Sequence, residues 1–322
     1  MKIVLHIGTN KTGTSSLQAF LALNRDNLAR EGWVYPEAGR DGVAHHGLAS
    51  AAAHGMNDLR QMVDDIMAEA QGHEGVILSS EALHDSPHVG RLAEAFSGHE
   101  VRIIVFLRDY LDYLSSWYRE DVQSSGICCD FENYAILKRK TYVPILRRWA
   151  QHFDHDALYL RDYNRDKLLN RSSIDEVLRG ILGLDSIEGW KTVGYENNPS
   201  VSGNLLFLKR VINNFVSREE AQSYGAEITD LAKLDPGFRG HMYIRPEFGD
   251  YIFQNQFADD MRMLNKEFGF SLAARGGGRD GARLPDLERL KTDYDLIMAE
   301  CSAKSFRFGV TLSKFSPGFL GR

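Results

Sequence analysis

The chain has 322 residues, enough to bury the core of one large domain or two small ones. Its composition, 43% hydrophobic and 25% charged, is that of a folded globular protein and argues against disorder. A net charge of −6 argues against a general nucleic-acid binder, so an anionic ligand has to be met by local cations.

The apolar run from Ile3 to Ile7 predicts a strand that feeds directly into Gly8-Thr-Asn10-Lys11-Thr12-Gly13-Thr14-Ser15-Ser16. Leu17, Phe20, Leu21, Leu23/Asn24 and Leu28 then fall on one helical stripe, with hydroxyl residues at its start as caps. Strand, glycine loop and helix start in succession aim unpaired N–H groups and the positive end of a helix dipole at one spot, where an anion, usually a phosphate, belongs. The nucleoside triphosphate loop reads G-x-x-x-x-G-K-[ST]. Gly8 and Gly13 keep its glycine spacing, but Thr14 occupies the lysine position and Lys11 sits within the loop. A lysine there reaches the near end of a bound phosphate group and is poorly placed to grip a distant γ-phosphate.

Next along the chain, Gly32 to Pro36 reads as a short extended segment, Glu37 to Gly42 as a loop, and His45 and His46 follow as adjacent imidazoles. A helical pattern from Leu59 to Met67 leads to a strand, Gly75 to Leu78, that ends in Ser79-Ser80-Glu81. A third strand, Val101 to Leu107, ends at Arg108. On the helix after it, Leu111, Leu114 and Tyr118 mark an apolar stripe while Asp112 and Ser116 share the opposite face. An arginine at the carboxyl end of a parallel strand sits where open α/β sheets bind ligands, and its fork suits a dianionic phosphate. Tyr142, Leu146, Trp149 and Phe153 mark another helix, Ala157 to Leu160 a strand, and Ile174 to Leu182 a helix closed by Gly183.

Strands alternating with helices predict an α/β fold, a three-layer sandwich around a central, mostly parallel sheet. From about Tyr195 the pattern turns helical, with Leu205, Leu208, Ile212 and Phe215 on one stripe and Phe253, Phe257, Met261, Leu264 and Phe268 on another, both packing faces. The expected organisation is a single domain over 1–322, with an α/β core over 1–190 and a mainly helical extension over 195–322. The glycine-rich stretch Arg275 to Arg283 is either a flexible loop or a basic flap over phosphates.

Two of these motifs together resemble the sulfotransferases that use 3′-phosphoadenosine 5′-phosphosulfate (PAPS). Lys11-Thr-Gly-Thr-Ser-Ser16 is similar to the family's 5′-phosphosulfate loop, and Arg108 with Ser116 eight residues on is similar to its 3′-phosphate site. The resemblance covers Met1 to about Leu184 and is vague beyond it. It implies a P-loop NTPase-like fold with added C-terminal helices, and a donor site formed by Asn10, Lys11, Thr12, Gly13, Thr14, Ser15, Ser16, Arg108 and Ser116. It further implies transfer of a sulfo group to a hydroxyl or amine of a carbohydrate, glycolipid or polysaccharide, with no metal required. Lys11 would stabilise charge developing at the leaving phosphate.

In the family the region after the extended Tyr-Pro segment often supplies the base, which here means His45 or His46; Glu81 is an acceptor ligand, an orienter of a histidine or a second base candidate. Arg161-Asp-Tyr163-Asn164 stands where the family commonly contacts adenine, and Asn197-Asn-Pro-Ser-Val-Ser202 resembles an Asn-x-Ser segment of bacterial members. Two other readings stand beside this one: a P-loop small-molecule kinase using Mg-ATP, and a non-catalytic nucleotide-binding protein. The lysine position and an arginine where a magnesium-holding aspartate would end the strand both disfavour the kinase. Cys128, Cys129 and Cys301 form neither a disulfide framework nor a zinc spacing. With neither a leader segment nor a membrane-length apolar run, the expected location is cytoplasmic.

Overall fold

The computed structural model describes residues 1–138, 140–192, 200–239, 242–272 and 284–315. Their elements, in chain order, are β1 (Lys2–Gly8), α1 (Thr14–Leu23), α2 (Arg25–Arg30), β2 (Trp33–Val34), α3 (His46–His54), α4 (Met56–Glu69), β3 (Gly75–Ser79), α5 (Val89–Ala95) and β4 (Glu100–Leu107). There follow α6 (Tyr110–Ser124), α7 (Phe131–Leu137), α8 (Val143–Ala150), β5 (Leu158–Asp162), α9 (Ser173–Asp175), α10 (Gly203–Ile212), α11 (Arg218–Ser223), α12 (Gly225–Leu231), α13 (Pro246–Tyr251), α14 (Ala258–Phe268), α15 (Leu287–Lys304) and α16 (Arg307–Phe315). The chain divides into two compact units. The first comprises Met1–Asp109, Thr141–Tyr195 and Asp259–Ala273, and the second Tyr110–Lys140, Glu196–Ala258 and Ala274–Arg322.

The first unit is α/β. Among the described residues its sheet has five strands in the order β2-β3-β1-β4-β5, every pairing parallel, flanked by helices. Ile3, Val4, Leu5 and Ile7 of β1 are all fully buried, as a strand with parallel neighbours on both sides and helices over the sheet requires. Val4, Ile77, Ile104 and Phe106 pack with Leu17, Phe20 and Leu21 of α1 and with Val177, Leu178 and Ile181. Because all strands run the same way, their carboxyl ends share one edge of the sheet. The chain order reverses at β1, with β3 on one side and β4 on the other, which makes that edge a topological switch point.

The helix expected from Leu17 through Leu28 is broken at Asn24. Its side-chain amide donates to the Phe20 carbonyl at 2.9 Å and pairs both ways with the Lys191 backbone, at 2.9 Å each. That tie to a distant segment turns the chain out of the helix, a contact no local periodicity encodes. The helix expected over Ile174 to Leu182 is present as α9 running into a π-turn over Glu176–Ile181, and Gly183 follows in the left-handed region.

The second unit is helical among its described residues. Leu111, Leu114 and Tyr118 of α6 are buried, while Asp112 and Ser116 are half-buried. Leu205, Leu208 and Ile212 of α10 form the expected stripe, but Phe215 lies beyond the helix end and is exposed. Lys209 is fully buried on the same helix, its ammonium donating to the Asn213 side chain and the Val122 carbonyl. The Arg275–Arg283 stretch and Asn197 to Pro199 lie outside the described residues.

Candidate functional site

Four strands deliver the first unit's polar residues to one edge. The loop leaves β1 at Gly8, Ser80 and Glu81 follow β3, Arg108 follows β4, and Tyr163 follows β5. Gly8 has φ +88, and a Cβ there would lie 3.0 Å from the Glu81 Cβ, so only glycine lets the two strand ends approach this closely. Thr9 fastens the loop to β4, its N–H and Oγ1 both donating to the Phe106 carbonyl at 3.2 and 3.1 Å. Thr9, Thr12 and Thr14 are buried, Asn10, Lys11, Gly13 and Ser16 half-buried, and Ser15 exposed.

Lys11 holds φ +65 and Gly13 φ +71, so the loop makes two left-handed turns before α1 starts. A non-glycine residue in that region stores strain, which the surrounding structure has to hold in place. Gly13 caps α1 without a side-chain hydrogen bond, and the helix has no acidic residue in its first turn. Its leading N–H groups and dipole therefore meet no carboxylate from the helix's own first turn.

Arg108 and Tyr163 close over this loop. Arg108 Nη1 donates to the Lys11 carbonyl at 3.1 Å, and its guanidinium carbon lies 6.0 Å from the Tyr163 ring centre. The Arg108 Nε is buried without a partner among the described residues. Tyr163 donates its N–H to the Leu107 carbonyl at 2.7 Å and stands edge-on to Phe106. Its hydroxyl would be 2.3 Å from a Cβ placed on Gly13, so the phenol lies directly against the second glycine.

On the β3 side, Glu81 is clamped by Gln18 of α1, whose Nε2 donates to Oε2 at 2.7 Å. His46, the first residue of α3, meets Ser80 Oγ through Nδ1 at 2.8 Å and places Nε2 3.9 Å from Glu81 Oε1. Its side chain is 37% exposed. His45 is different: Ser79 N–H donates to Nδ1 at 3.1 Å, Nε2–H donates to the Pro36 carbonyl at 3.2 Å, and the ring is fully buried against Tyr35. Both nitrogens are spent on backbone, and burial lowers its pKa to about 4. The adjacent pair thus separates into a locked imidazole and an accessible one.

The loop, Arg108, His46 and Glu81 therefore gather at one sheet edge. Ser116 lies on α6 of the second unit, on the face away from the buried stripe. Sequence reasoning missed Gln18 and His6. His6 is the single polar residue in the apolar run Ile3 to Ile7, and that isolation is the signal that marks it. It is fully buried, with Nδ1 2.8 Å from Ser79 Oγ and Nε2 unpartnered among the described residues. Burial lowers its pKa to about 4 against the opposing pull of the Glu81 charge.

No family model matches the chain, and no curated protein shows significant similarity to it. Among the described residues no cluster of three or more His, Cys, Asp or Glu is placed to hold a metal ion, and no helix is long and apolar enough to cross a membrane.

Proposed function

We propose that the chain is a PAPS-dependent sulfotransferase of P-loop NTPase-like fold, transferring a sulfo group to a hydroxyl or amine of a carbohydrate-containing acceptor. The observation that carries the reading is the junction of Arg108 with Lys11: a strand-end guanidinium bonded to a loop whose lysine lies inside it and not after its second glycine. The strand order β2-β3-β1-β4-β5, with the loop leaving the central strand, supports the fold assignment.

The residues present suit the donor. A loop with two glycines, one closed in by Tyr163 and the other by Glu81, leads to an uncapped helix start that would take the 5′-phosphosulfate. Arg108, whose buried Nε has no partner among the described residues, would take the 3′-phosphate. When bound, PAPS supplies the activated sulfo group. Lys11 and the loop amides then stabilise negative charge on the leaving phosphate, a positioning and electrostatic role. His46, oriented through Nδ1 by Ser80, takes the acceptor proton at Nε2, and Glu81 steadies the resulting imidazolium. His45 serves as a strut for the segment that carries His46.

The test is transfer of radiolabelled sulfate from PAPS across a panel of sugars, glycolipids and amines, run beside a thermal-shift comparison. Adenosine 3′,5′-bisphosphate at a hundred times its Kd adds about 2.7 kcal/mol without metal. Stronger stabilisation by Mg-ATP overturns the reading in favour of a kinase, and nucleotide binding with no transfer to any acceptor reduces it to a binding protein.

A further inference from the structure

The second unit holds a cleft of its own. One stripe of α10, Gly203, Leu206, Phe207 and Arg210, lines it at i, i+3, i+4 and i+7. Tyr118, Phe131 and Tyr243 stand opposite, around about 450 Å³ of open volume. That space opens to solvent, and the stripe runs about 10 Å along the helix. The walls are held in fixed aromatic contacts: Tyr118 edge-on to Phe131 at 5.5 Å, and Phe207 edge-on to Tyr243 at 6.3 Å.

The charges in the cleft are unequal in what they are committed to. Glu132 is gripped by Arg245 through Nε and Nη2, both at 2.7 Å, and Asp130 accepts from the Asn133 N–H at 2.9 Å as the cap of α7. Arg210 has no carboxylate within ion-pair distance among the described residues; its guanidinium lies 5.0 Å from the Phe207 ring centre, beside the Tyr118 hydroxyl. At the other end of the stripe, α10 begins without a side-chain cap, and the Ser202 Oγ next to Gly203 is buried without a partner among the described residues. A guanidinium at one end, an uncapped helix start at the other and apolar surface between them select an anion with an apolar body.

We propose that this cleft is a second ligand site, taking a small organic anion whose carboxylate or sulfo group is held by Arg210 and whose apolar body lies along Phe207 and Leu206. The stacked arginine gives the head group a preoriented fork, and the aromatic walls supply contact area at low entropic cost. The site is independent of the nucleotide reading, because it shares no residue with the donor site.

Calorimetry and saturation-transfer NMR with 3-phenylpropionate, its uncharged amide and 3-phenylpropylamine test the assignment on the unmodified chain. The carboxylate should bind about tenfold more tightly than the amide, the strength of a charge-assisted hydrogen bond, and the amine more weakly than either. Arg210→Gln should erase the difference between carboxylate and amide while the thermal midpoint holds. Adenosine 3′,5′-bisphosphate should leave the carboxylate in place. The proposal falls if the amide binds as well as the carboxylate, if the amine binds best, if Arg210→Gln changes nothing, if the nucleotide displaces the probe, or if no saturable binding is found. The matched ligands decide the matter even where the variant fails to fold.

Discussion

The Arg108 guanidinium donates from Nη1 to the backbone carbonyl of Lys11 at 3.1 Å, joining the arginine that ends β4 to the left-handed residue inside the β1 loop. One side chain thus supports the loop backbone, and its buried Nε has no partner among the described residues. Arg108→Lys retains charge but not the fork. Isothermal titration should show adenosine 3′,5′-bisphosphate affinity lowered about tenfold in Arg108→Lys and further in Arg108→Ala. Undiminished affinity in Arg108→Ala would take the arginine out of the donor site.

Lys11 carries two separable properties, an ammonium and a strained backbone. Replacing it with alanine removes the first and keeps the second, because alanine at φ +65 is strained as well. Glycine removes both. Lys11→Gly should therefore be more stable than Lys11→Ala by about 1 kcal/mol in denaturant unfolding, although glycine normally costs stability. Both variants should lose turnover, with kcat and kcat/KM falling together. Equal stability of the two would mean the loop relaxes its left-handed turn when the lysine is gone.

Gly13→Ala tests the contact with Tyr163. The new methyl meets the phenol oxygen and sits at φ +71, so thermal unfolding should show a loss of about 1–2 kcal/mol. Adding Tyr163→Phe removes the nearest clashing atom and should recover part of that loss, leaving the backbone strain. No recovery would show that the hydroxyl is not the source of the loss, which then lies with the ring carbons or the backbone.

What could be read in advance follows from how local its cause is. The buried run Ile3 to Ile7, the two glycines and the stripe Leu17, Phe20, Leu21 specify strand, loop and helix within sixteen residues or so of one another, and each is found. Arg108 was legible because a charge ending an apolar strand breaks a pattern. The distinction between His45 and His46 was not, since it depends on the Pro36 carbonyl and on Ser79 and Ser80 at the distant end of β3. Gln18 was hidden for the same reason: its partner, Glu81, is sixty-three positions away. The break at Asn24 likewise comes from Lys191, beyond any window of periodicity.

His6 and His45 make acid stability measurable. Burial lowers both to about 4 from an ordinary 6.5, so the folded chain binds fewer protons than the unfolded one between those values. Stability is then complete above pH 6.5 and declines as pH falls toward 4, by up to roughly 3 kcal/mol per histidine. Urea unfolding at intervals from pH 7 to pH 4 should show that decline. His6→Asn keeps a polar atom for Ser79 without a titrating ring and should make the slope clearly shallower. An unchanged slope would mean that His6 is not a source of it.

The last prediction separates the proton acceptor from its supports. His46 Nδ1 is held by Ser80 and its Nε2 faces Glu81, which Gln18 clamps from α1. If His46 takes the acceptor proton, His46→Ala should lower kcat about a hundredfold or more while nucleotide affinity stays level. Ser80→Ala frees the ring without removing it, so its loss should be smaller, about tenfold, and single-turnover rates should place it in the chemical step. Gln18→Leu should leave nucleotide affinity intact and lower kcat a few-fold, because it releases the carboxylate that Gln18 holds beside the imidazole. A His46→Ala enzyme with full turnover, and turnover lost only in Glu81→Gln, would transfer the role to the carboxylate.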